Sequence, residues 1–361
     1  MKVGIPKEVL PGETRVALVP ETVKRLADKG LSVSVETGAG AASGISDDEY
    51  RAAGALIAPY HASVLGESDL LLKVQRPSDG KSGAADEIGA IKQGATVIAF
   101  LQPFAQRETV EKLAARQVTA ISMEMIPRIT RAQNMDALSS MATVAGYKAV
   151  LLAANAFTRF FPMFMTAAGT VSPARALILG AGVAGLQAIA TAKRLGAVVE
   201  AFDTRPAVKE QVESVGAKFI SLPISKEEGE GAGGYAKALS EEQHKKELEL
   251  IAGRLHRTDI VITTAQIPGR KAPLLITEDM VKQLKPGAVL VDLAAEGGGN
   301  CALTEPNKTV VKHGVTIIGT FNLPALMPTH ASQLYSKNVG NLVQHLIGKE
   351  GFKLDLADPI T

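Results

Sequence analysis

The chain has 361 residues, of which 46% are hydrophobic, so it can bury a large core and is expected to form two domains. The formal net charge of +2, with no basic run interleaved with aromatic residues, argues against nucleic-acid binding. The single cysteine, Cys301, excludes an internal disulfide and a cysteine-based metal cluster, and no metal site is predicted.

Neither a signal peptide nor a membrane span is predicted. The first residues, MKVGIPKEVLPGETRVAL, carry charges where a signal peptide needs an apolar segment. The longest apolar region, 141–168, contains Lys148, Arg159 and Pro162, which would be costly in a bilayer, so a buried or interdomain helix is expected there. A cytoplasmic protein without direct membrane insertion is therefore expected.

The N-terminal portion of the chain alternates between strand and helix patterns. A helix over 20–30, with Val23, Leu26 and Ala27 on its inner face, separates the first two strands. The predicted strands span residues 2–5, 31–36, 70–74, 96–101 and 119–122. Alternation of this kind is typical of a mostly parallel sheet covered by helices.

A helix over 144–157 leads into a second α/β unit, which is organised around one motif. Residues 175–203, RALILGAGVAGLQAIATAKRLGAVVEAFD, predict a strand, a glycine turn, a helix and a second strand. Gly180, Gly182 and Gly185 have the G-x-G-x-x-G spacing, in which the first glycine permits a sharp turn, the second admits a pyrophosphate and the third brings helix and sheet together. The spacing favours dinucleotide binding, and an α/β unit that binds nothing is the alternative.

Asp203 ends the second strand, where a carboxylate can accept hydrogen bonds from both adenosine ribose hydroxyls, and this favours NAD(H). Arg205 could meet a 2′-phosphate, but Asp203 would repel that group, so NADP is the lesser alternative. The remaining candidate cofactor contacts are Ala181, Val183, Thr204, Ala265 and Gln266.

Further strands near 218–220, 260–263, 289–292 and 316–318 complete a doubly wound sheet, and a last helix over 330–347 is expected to return to the first domain. The predicted domains are 1–140 plus 328–361, and 141–327. The predicted fold is therefore α/β, with two doubly wound parallel-sheet (Rossmann-like) domains joined by helices and a ligand cleft between them.

Residues 225–249 change in character, with four glycines in 229–234 and dense charge around them. This composition predicts a mobile surface loop, at about 225–240, that runs into a solvated helix. Two interpretations stay open: a tolerated insertion, or a lid whose Tyr235 closes on a bound nucleotide.

The run 127–140, PRITRAQNMDALSS, precedes a helix and contains four polar residues that could converge: Arg128, Gln133, Asp136 and Ser139. Its spacing alone favours a capped helix with a surface ion pair.

Over nearly its whole length the chain resembles the NAD(H)-binding component, or domain I, of proton-translocating nicotinamide nucleotide transhydrogenase. The resemblance is carried by the runs RVALVPETV, IPRITRAQNMDALSSMATVAGYKAV, GAGVAGLQAIATAKRLGAVVEAFDTRP, GGYAK, IPGRKAP and LVDLAAEGGGN. It implies that Arg128, Gln133 and Asp136, with Ser139 as an accompanying hydroxyl, lie beside the nicotinamide ring. It also implies that Tyr235 belongs to a mobile loop and that Asp203 binds ribose.

The resemblance implies direct hydride transfer between NADH on this chain and NADP on a separate component, coupled to proton movement through a membrane component. The site residues would then position the ring rather than transfer protons. It also implies a homodimer that docks peripherally on the inner face of the bacterial cytoplasmic membrane, with the NADP(H)-binding and membrane-spanning components as separate chains.

The alternative is a sister family, the alanine dehydrogenases, which the first lobe also resembles. That family holds pyruvate with an arginine and a lysine, matched here by Arg15 and Lys73, and carries an aspartate where Glu296 stands. It also uses a proton-transferring histidine in the motif that reads AFLQPF here, where the position is Gln102. Because an amide cannot shuttle a proton near neutral pH, the transhydrogenase interpretation is favoured, and Arg15 and Lys73 are expected to stabilise the lobe.

Overall fold

The computed structural model describes residues 1–81, 83–222, 239–267, 269–348 and 351–361. The chain divides into two compact units, the first made of Met1–Met141 with Pro324–Thr361 and the second of Ala142–Leu323. Each unit is built on its own, largely parallel sheet, which confirms the predicted α/β class with two Rossmann-like domains.

In the first unit, every strand of the main sheet is parallel to its neighbours. The strands are β1 (Lys2–Ile5), β2 (Ser32–Glu36), β3 (Leu56–Ala58), β4 (Leu70–Gln75), β5 (Thr96–Phe100) and β6 (Thr119–Ser122). Their order, β3-β2-β1-β4-β5-β6, is that of a doubly wound sheet, whose topological switch point lies between β1 and β4.

The second unit repeats this order and adds an antiparallel edge strand that the sequence did not predict. Its strands are β7 (Phe164–Thr166), β8 (Gly169–Val171), β9 (Arg175–Leu179), β10 (Val198–Phe202), β11 (Lys218–Ile220), β12 (Ile260–Thr263), β13 (Val289–Asp292), β14 (Thr309–Lys312) and β15 (Val315–Ile318). The main sheet runs β11-β10-β9-β12-β13-β15-β14, so its switch point lies between β9 and β12. Along β9, Ile178 packs into one buried cluster and Leu177 and Leu179 into another, because both faces of the sheet are covered.

The helices cover these sheets. They are α1 (Pro20–Ala27), α2 (Asp47–Ala52), α3 (His61–Glu67), α4 (Arg107–Ala115), α5 (Ala137–Ala156), α6 (Val183–Arg194), α7 (Lys209–Ser214), α8 (Glu241–Leu255), α9 (Glu278–Val281) and α10 (Pro328–Leu346). A short hairpin, β16 (Ile347–Gly348) with β17 (Gly351–Phe352), follows α10.

The C-terminal helix α10 belongs to the first unit. Its Ser332 and Ser336 hydroxyl oxygens accept the backbone N–H groups of Val16 and Val19 over 3.0 and 2.9 Å, and both serines are buried. The buried hydroxyls thus satisfy backbone donors that would otherwise be costly inside the unit.

Helix α5 starts earlier than predicted, whereas its end at Ala156 agrees with the predicted end at residue 157. It begins at Ala137, not near residue 144, because the Asp136 carboxylate accepts the N–H of Ser139 over 2.8 Å and so caps the helix. Within the apolar region 141–168, for which a buried or interdomain helix is expected, the helix ends at Ala156, and β7 and β8 then form an antiparallel hairpin that the sequence did not predict. Among the described residues, α5 alone is long and apolar enough to cross a membrane, and 39% of its most apolar window is buried.

Candidate functional site

The glycine turn after β9 has a distinct geometry at each glycine. Gly180 has a φ of +98°, a conformation that favours glycine. An added Cβ at Gly182 would meet no atom within 4 Å, whereas one at Gly185 would lie 1.9 Å from the carbonyl oxygen of Gly180. The turn therefore leaves an open approach at its second glycine and packs tightly at its third, as the G-x-G-x-x-G spacing predicts.

The turn lies at the switch point of the second unit's sheet. Its neighbour there is the end of β12, where the N–H of Thr264 donates to the carbonyl of Leu179 over 2.8 Å. The Thr264 hydroxyl donates to the carbonyl of Gly180 over 3.1 Å, so the two strand ends hold each other in place.

The first turn of α6 follows directly. Gly182 occupies the N-cap position without a side-chain cap, and Val183 begins the helix with its side chain partly exposed. The first N–H groups of a helix have no partner within it, and together with the helix dipole they attract an anion.

Asp203 is buried one residue beyond β10 and reaches back to the glycine turn. Its Oδ2 accepts the N–H of Ala181 over 2.7 Å and Nη2 of Arg205 over 2.7 Å. Its Oδ1 accepts the backbone N–H and Nε of Arg205, each over 2.9 Å. Next to it, the Thr204 hydroxyl is buried without a hydrogen-bond partner among the residues that the structure describes.

A second carboxyl lies near this strand end. Glu247 of α8 is buried, and its Oε2 is 2.8 Å from Nδ1 of His244. Burial raises the pKa of Glu247, the hydrogen bond with His244 lowers it and the charge of Asp203 adds to the rise.

Two other candidate contacts, Ala265 and Gln266, follow β12. The N–H of Ala265 donates to Oδ1 of Asn300 over 3.1 Å, and Nδ2 of Asn300 donates to the Ala265 carbonyl over 2.9 Å. The exposed Gln266 amide donates to the carbonyl of Leu293 over 2.8 Å. The N–H of Asn300 in turn donates to the buried carboxylate of Asp292 over 2.8 Å, so a rigid layer supports the segment after β12.

The four residues expected beside the nicotinamide ring belong to the first unit. Arg128 and Gln133 are exposed, and Gln133 lies in a 3₁₀ helix, Thr130–Met135, that leads to α5. Asp136 accepts the Ser139 hydroxyl over 2.6 Å as well as its N–H, which is the capped-helix arrangement that the spacing favours.

The segment that carries Gln133 is anchored to α10. Asn338 and Asn341 both donate their side-chain amides to the carbonyl of Asn134, over 2.9 and 3.1 Å. Arg131 also forms an ion pair with Asp358. These contacts fix the backbone around Gln133 while its own side chain faces solvent.

Arg15 and Lys73 are buried among carboxylates near the switch point of the first sheet. Nη2 of Arg15 is 2.6 Å from Oε2 of Glu13, and Nζ of Lys73 is 2.7 Å from Oε1 of Glu87 and 3.3 Å from Oε2 of Glu8. Burial raises the pKa of Glu8 to about 7 against the opposing charge of Lys73. Both cations therefore have carboxylate partners within the first unit, consistent with a role in stabilising it.

Two further positions were named from the sequence: Gln102, which stands where alanine dehydrogenases use a histidine, and Tyr235, the candidate lid residue. Gln102 follows β5 with a φ of +51°, a conformation that is uncommon outside glycine and is often kept at functional sites. Tyr235 and the glycine-rich run 229–234 lie outside the described residues.

Thr264 and Asn300 support the site and were not singled out from the sequence. Both lie next to a pattern that can be recognised in the sequence. Thr264 directly follows the apolar strand β12, and Asn300 is the last residue of the glycine-rich run LAAEGGGN. Their partners at Leu179, Gly180 and Ala265 are far away in the sequence or are backbone groups, so sequence spacing could not reveal the contacts.

Comparison with known proteins places the chain among two related groups. Family models described as "Alanine dehydrogenase/PNT, N-terminal domain" and "Alanine dehydrogenase/PNT, C-terminal domain" match residues 4–145 and 149–361. An NAD(P) transhydrogenase alpha subunit chain of Rhodospirillum rubrum is 54% identical over 97% of this chain and 91% of its own length. Alanine dehydrogenase of Bacillus subtilis is 31% identical over 91% of this chain and 81% of its own length. The crystal structure of transhydrogenase from Sinorhizobium meliloti superposes with a TM-score of 0.89 at 45% identity, covering 100% of this chain and 96% of that one.

Proposed function

Because the chain belongs to the alanine dehydrogenase/PNT family of oxidoreductases, we propose that it is the NAD(H)-binding component of a proton-translocating transhydrogenase. Its reaction is direct hydride transfer between NADH on this chain and NADP on a partner component, coupled to proton translocation across the membrane. The observation that carries the proposal is the glycine turn, open at Gly182 and followed by the buried carboxylate of Asp203.

The residues around this turn fit a dinucleotide. A Cβ at Gly182 would fill the open approach to the backbone, and the first turn of α6 offers N–H groups to a pyrophosphate. The buried Thr204 hydroxyl, which has no partner among the described residues, suits a polar ligand beside Asp203. Gly180, Ala181, Gly182, Val183 and Gly185 would hold the pyrophosphate, with Asp203, Thr204 and Arg205 around the ribose and Ala265 and Gln266 at the end of β12.

When bound, NADH supplies the hydride. Transfer of a hydride between two nicotinamide rings moves no proton to or from oxygen or nitrogen, so this chain needs no general acid or base for it. What it must supply is position in a water-poor site. Gln133 steers the ring with its exposed amide, Arg128 contacts the carboxamide, and Asp136 with Ser139 fixes the segment by capping α5.

The alternative function, an NAD-dependent alanine dehydrogenase, has less support. Reduction of an imine to an amine requires proton transfer, and the position after β5 is the amide Gln102. Arg15 and Lys73, the candidate pyruvate ligands, have buried carboxylate partners in Glu13, Glu87 and Glu8.

The proposed partners are the NADP(H)-binding and membrane-spanning components and a second copy of this chain. The hairpin β7–β8 supports the homodimer, because Phe164, Met165 and Val171 on it are exposed, Met165 to 79%. A Met165→Lys variant should then sediment as a monomer while the unaltered protein sediments as a dimer. A monomeric unaltered protein would exclude the homodimer.

We place the protein in the cytoplasm, peripheral on the inner face of the bacterial cytoplasmic membrane and held there by its partners. Vesicles that contain the membrane-spanning component should co-sediment the protein, whereas vesicles of lipid alone should leave it in the supernatant. Equal binding to both kinds of vesicle would mean that the protein binds lipid directly and does not depend on the membrane-spanning component.

Two parallel assays with NADH test the function itself. One contains pyruvate and ammonium, and the other contains a separately purified NADP-binding component with an NADP analogue. Reduction of the analogue alone supports the transhydrogenase. Turnover with pyruvate alone would mean that Arg15 and Lys73 form a working substrate site and that another group replaces the missing histidine.

A further inference from the structure

The carboxylate of Asp203 already accepts as many hydrogen bonds from this chain as an ionised carboxylate usually accepts. An ionised carboxylate accepts about four hydrogen bonds. Asp203 accepts from the N–H of Ala181 over 2.7 Å, and from the backbone N–H, Nε and Nη2 of Arg205 over 2.9, 2.9 and 2.7 Å. The two hydroxyls of an adenosine ribose can therefore bind Asp203 only if donors already present give way.

The four donors differ in how easily they can leave. The N–H of Ala181 belongs to the glycine turn, and the N–H of Arg205 to the backbone just beyond β10, so both are fixed by the fold. The Arg205 guanidinium ends a flexible side chain that is 15% exposed. It occupies one position on each carboxylate oxygen, Nε on Oδ1 and Nη2 on Oδ2. A vicinal diol also presents two neighbouring donors, so it can take these two positions together.

We propose that Arg205 is an internal competitor of the adenosine ribose: it holds Asp203 in the free protein and leaves it when NAD(H) binds. The inference rests on the proposed function and gives Arg205 a role other than recognition of a 2′-phosphate. In the free protein the ion pair stabilises a carboxylate that is only 5% exposed and would otherwise have only the backbone N–H groups of Ala181 and Arg205 as partners. The energy spent on releasing Arg205 reduces the affinity for NADH, which favours exchange of the nucleotide between turnovers.

The test is the affinity of Arg205→Met for NADH and for its analogue that lacks the adenosine 2′-hydroxyl. Arg194→Met is the matched control, since Arg194 is exposed at the end of α6 and its loss removes the same charge. We expect Arg205→Met to bind NADH about tenfold more tightly than the unaltered protein, and Arg194→Met to bind it within about twofold. The 2′-deoxy analogue should gain less, because it has only one hydroxyl to place on Asp203. Equal or weaker NADH binding by Arg205→Met, or an equal gain for both nucleotides, would overturn the proposal.

Arg205→Lys provides a second variant if Arg205→Met fails to fold, as judged by its thermal unfolding. Lysine keeps the charge but lacks the two-pronged guanidinium, so NADH affinity should change in the same direction by a smaller factor. An unchanged affinity in that variant would also overturn the proposal. Failure of the unaltered protein to bind NADH would refute the proposed function instead, so the two failures are distinguishable.

Discussion

A Cβ atom added to Gly185 would lie 1.9 Å from the carbonyl oxygen of Gly180, inside any allowed contact between the two. Helix α6 approaches the end of β9 this closely only because position 185 has no side chain. The same helix is held from another direction, since a Cβ at Gly146 of α5 would lie 2.1 Å from the carbonyl oxygen of Ala184. The first turn of α6 therefore cannot shift freely to accommodate a larger residue.

Gly185→Ala should accordingly destabilise the protein by about 3 kcal/mol, because the clash is with backbone and the helix must move. Gly182→Ala is the matched control: its φ is −73° and an added Cβ meets no atom within 4 Å, so its free energy of unfolding should change by less than about 1 kcal/mol. Gly182→Ala should nevertheless lose NADH affinity by at least about tenfold, because the methyl group fills the approach of the pyrophosphate. Thermal unfolding and NADH titration of both variants check this. Loss of stability in both, or in neither, would contradict the assignment of the two glycines.

Asp203→Asn should weaken NADH binding by about 10- to 100-fold and NADPH binding much less. The substitution removes the charge that strengthens hydrogen bonds from the ribose hydroxyls, each worth about 1.5–3 kcal/mol to a charged acceptor. Glu200→Gln is the control, since Glu200 is a carboxylate on β10 that also pairs with arginines, Arg254 and Arg257, but does not contact the glycine turn. The measurement is a fluorescence titration with each nucleotide. Equal losses for NADH and NADPH would mean that Asp203 does not distinguish the ribose.

Gln133→Asn should slow hydride transfer in the complex reconstituted with the NADP-binding component by at least about tenfold, with NADH affinity nearly unchanged. The shorter side chain keeps the amide but withdraws it by one methylene from a backbone that Asn338 and Asn341 hold in place. Gln93→Asn is the control, because Gln93 is an exposed amide of the same unit, bonded to Gln117. Single-turnover kinetics separate transfer from binding. An unchanged transfer rate would remove the positioning role of Gln133.

The strands and the glycine turn could be predicted because their signal is local. β9 and β12 are short apolar runs, which predict buried strands. Gly180 needs a positive φ and Gly185 has no room for a Cβ atom, so few residues other than glycine fit at these two positions. The apolar run predicted α5 only from residue 144, whereas the helix starts at the cap that the spacing of 127–140 favours, where Asp136 accepts the N–H of Ser139. The hairpin β7–β8 was missed because its apolar residues resemble a continuation of the helix, although they are exposed.

The contacts that shape the candidate site could not be predicted in the same way. The sequence placed Arg205 two residues after Asp203 but could not show that the guanidinium lies on the carboxylate, since that depends on side-chain rotamers. Asn300 accepts a hydrogen bond from the N–H of Ala265, 35 residues away in the sequence. The alternation of residues along a strand indicates which face each side chain lies on, but it does not indicate a hydrogen bond between such distant residues. Sequence patterns therefore indicate which residues reach the strand ends, whereas their mutual hydrogen bonds are set by tertiary packing.

Between pH 6.5 and 9 the stability of the first unit should fall as the pH rises, and His61 at the start of α3 is a main cause. Its Nδ1 lies 2.6 Å from Oε2 of Glu36 and its Nε2 lies 3.2 Å from Oε1 of Glu87. The hydrogen bond with Glu36 and then the neighbouring Glu87 carboxylate raise the pKa of His61 from 6.5 to about 9. A group whose pKa is raised by folding stabilises the protein fully below its unfolded pKa and loses that effect as the pH rises through the folded value. The window for His61 is therefore pH 6.5 to 9. Glu8, whose pKa burial raises from 4.5 to about 7, lowers stability over the range between those values, so its effect is complete before that of His61.

His61→Gln should thus lower the melting temperature at pH 6.5 and flatten its decline between pH 6.5 and 9, because the glutamine amide has no proton to lose in that range. His330→Gln is the matched control, since His330 lies exposed in the first turn of α10 of the same unit, and this variant should keep the unaltered slope. Thermal unfolding followed by circular dichroism across the pH range measures both slopes. If the melting temperature of His61→Gln declined as steeply as that of the unaltered protein, protonation of His61 would not stabilise this unit. The contacts of His61 with Glu36 and Glu87 would then be those of a neutral imidazole.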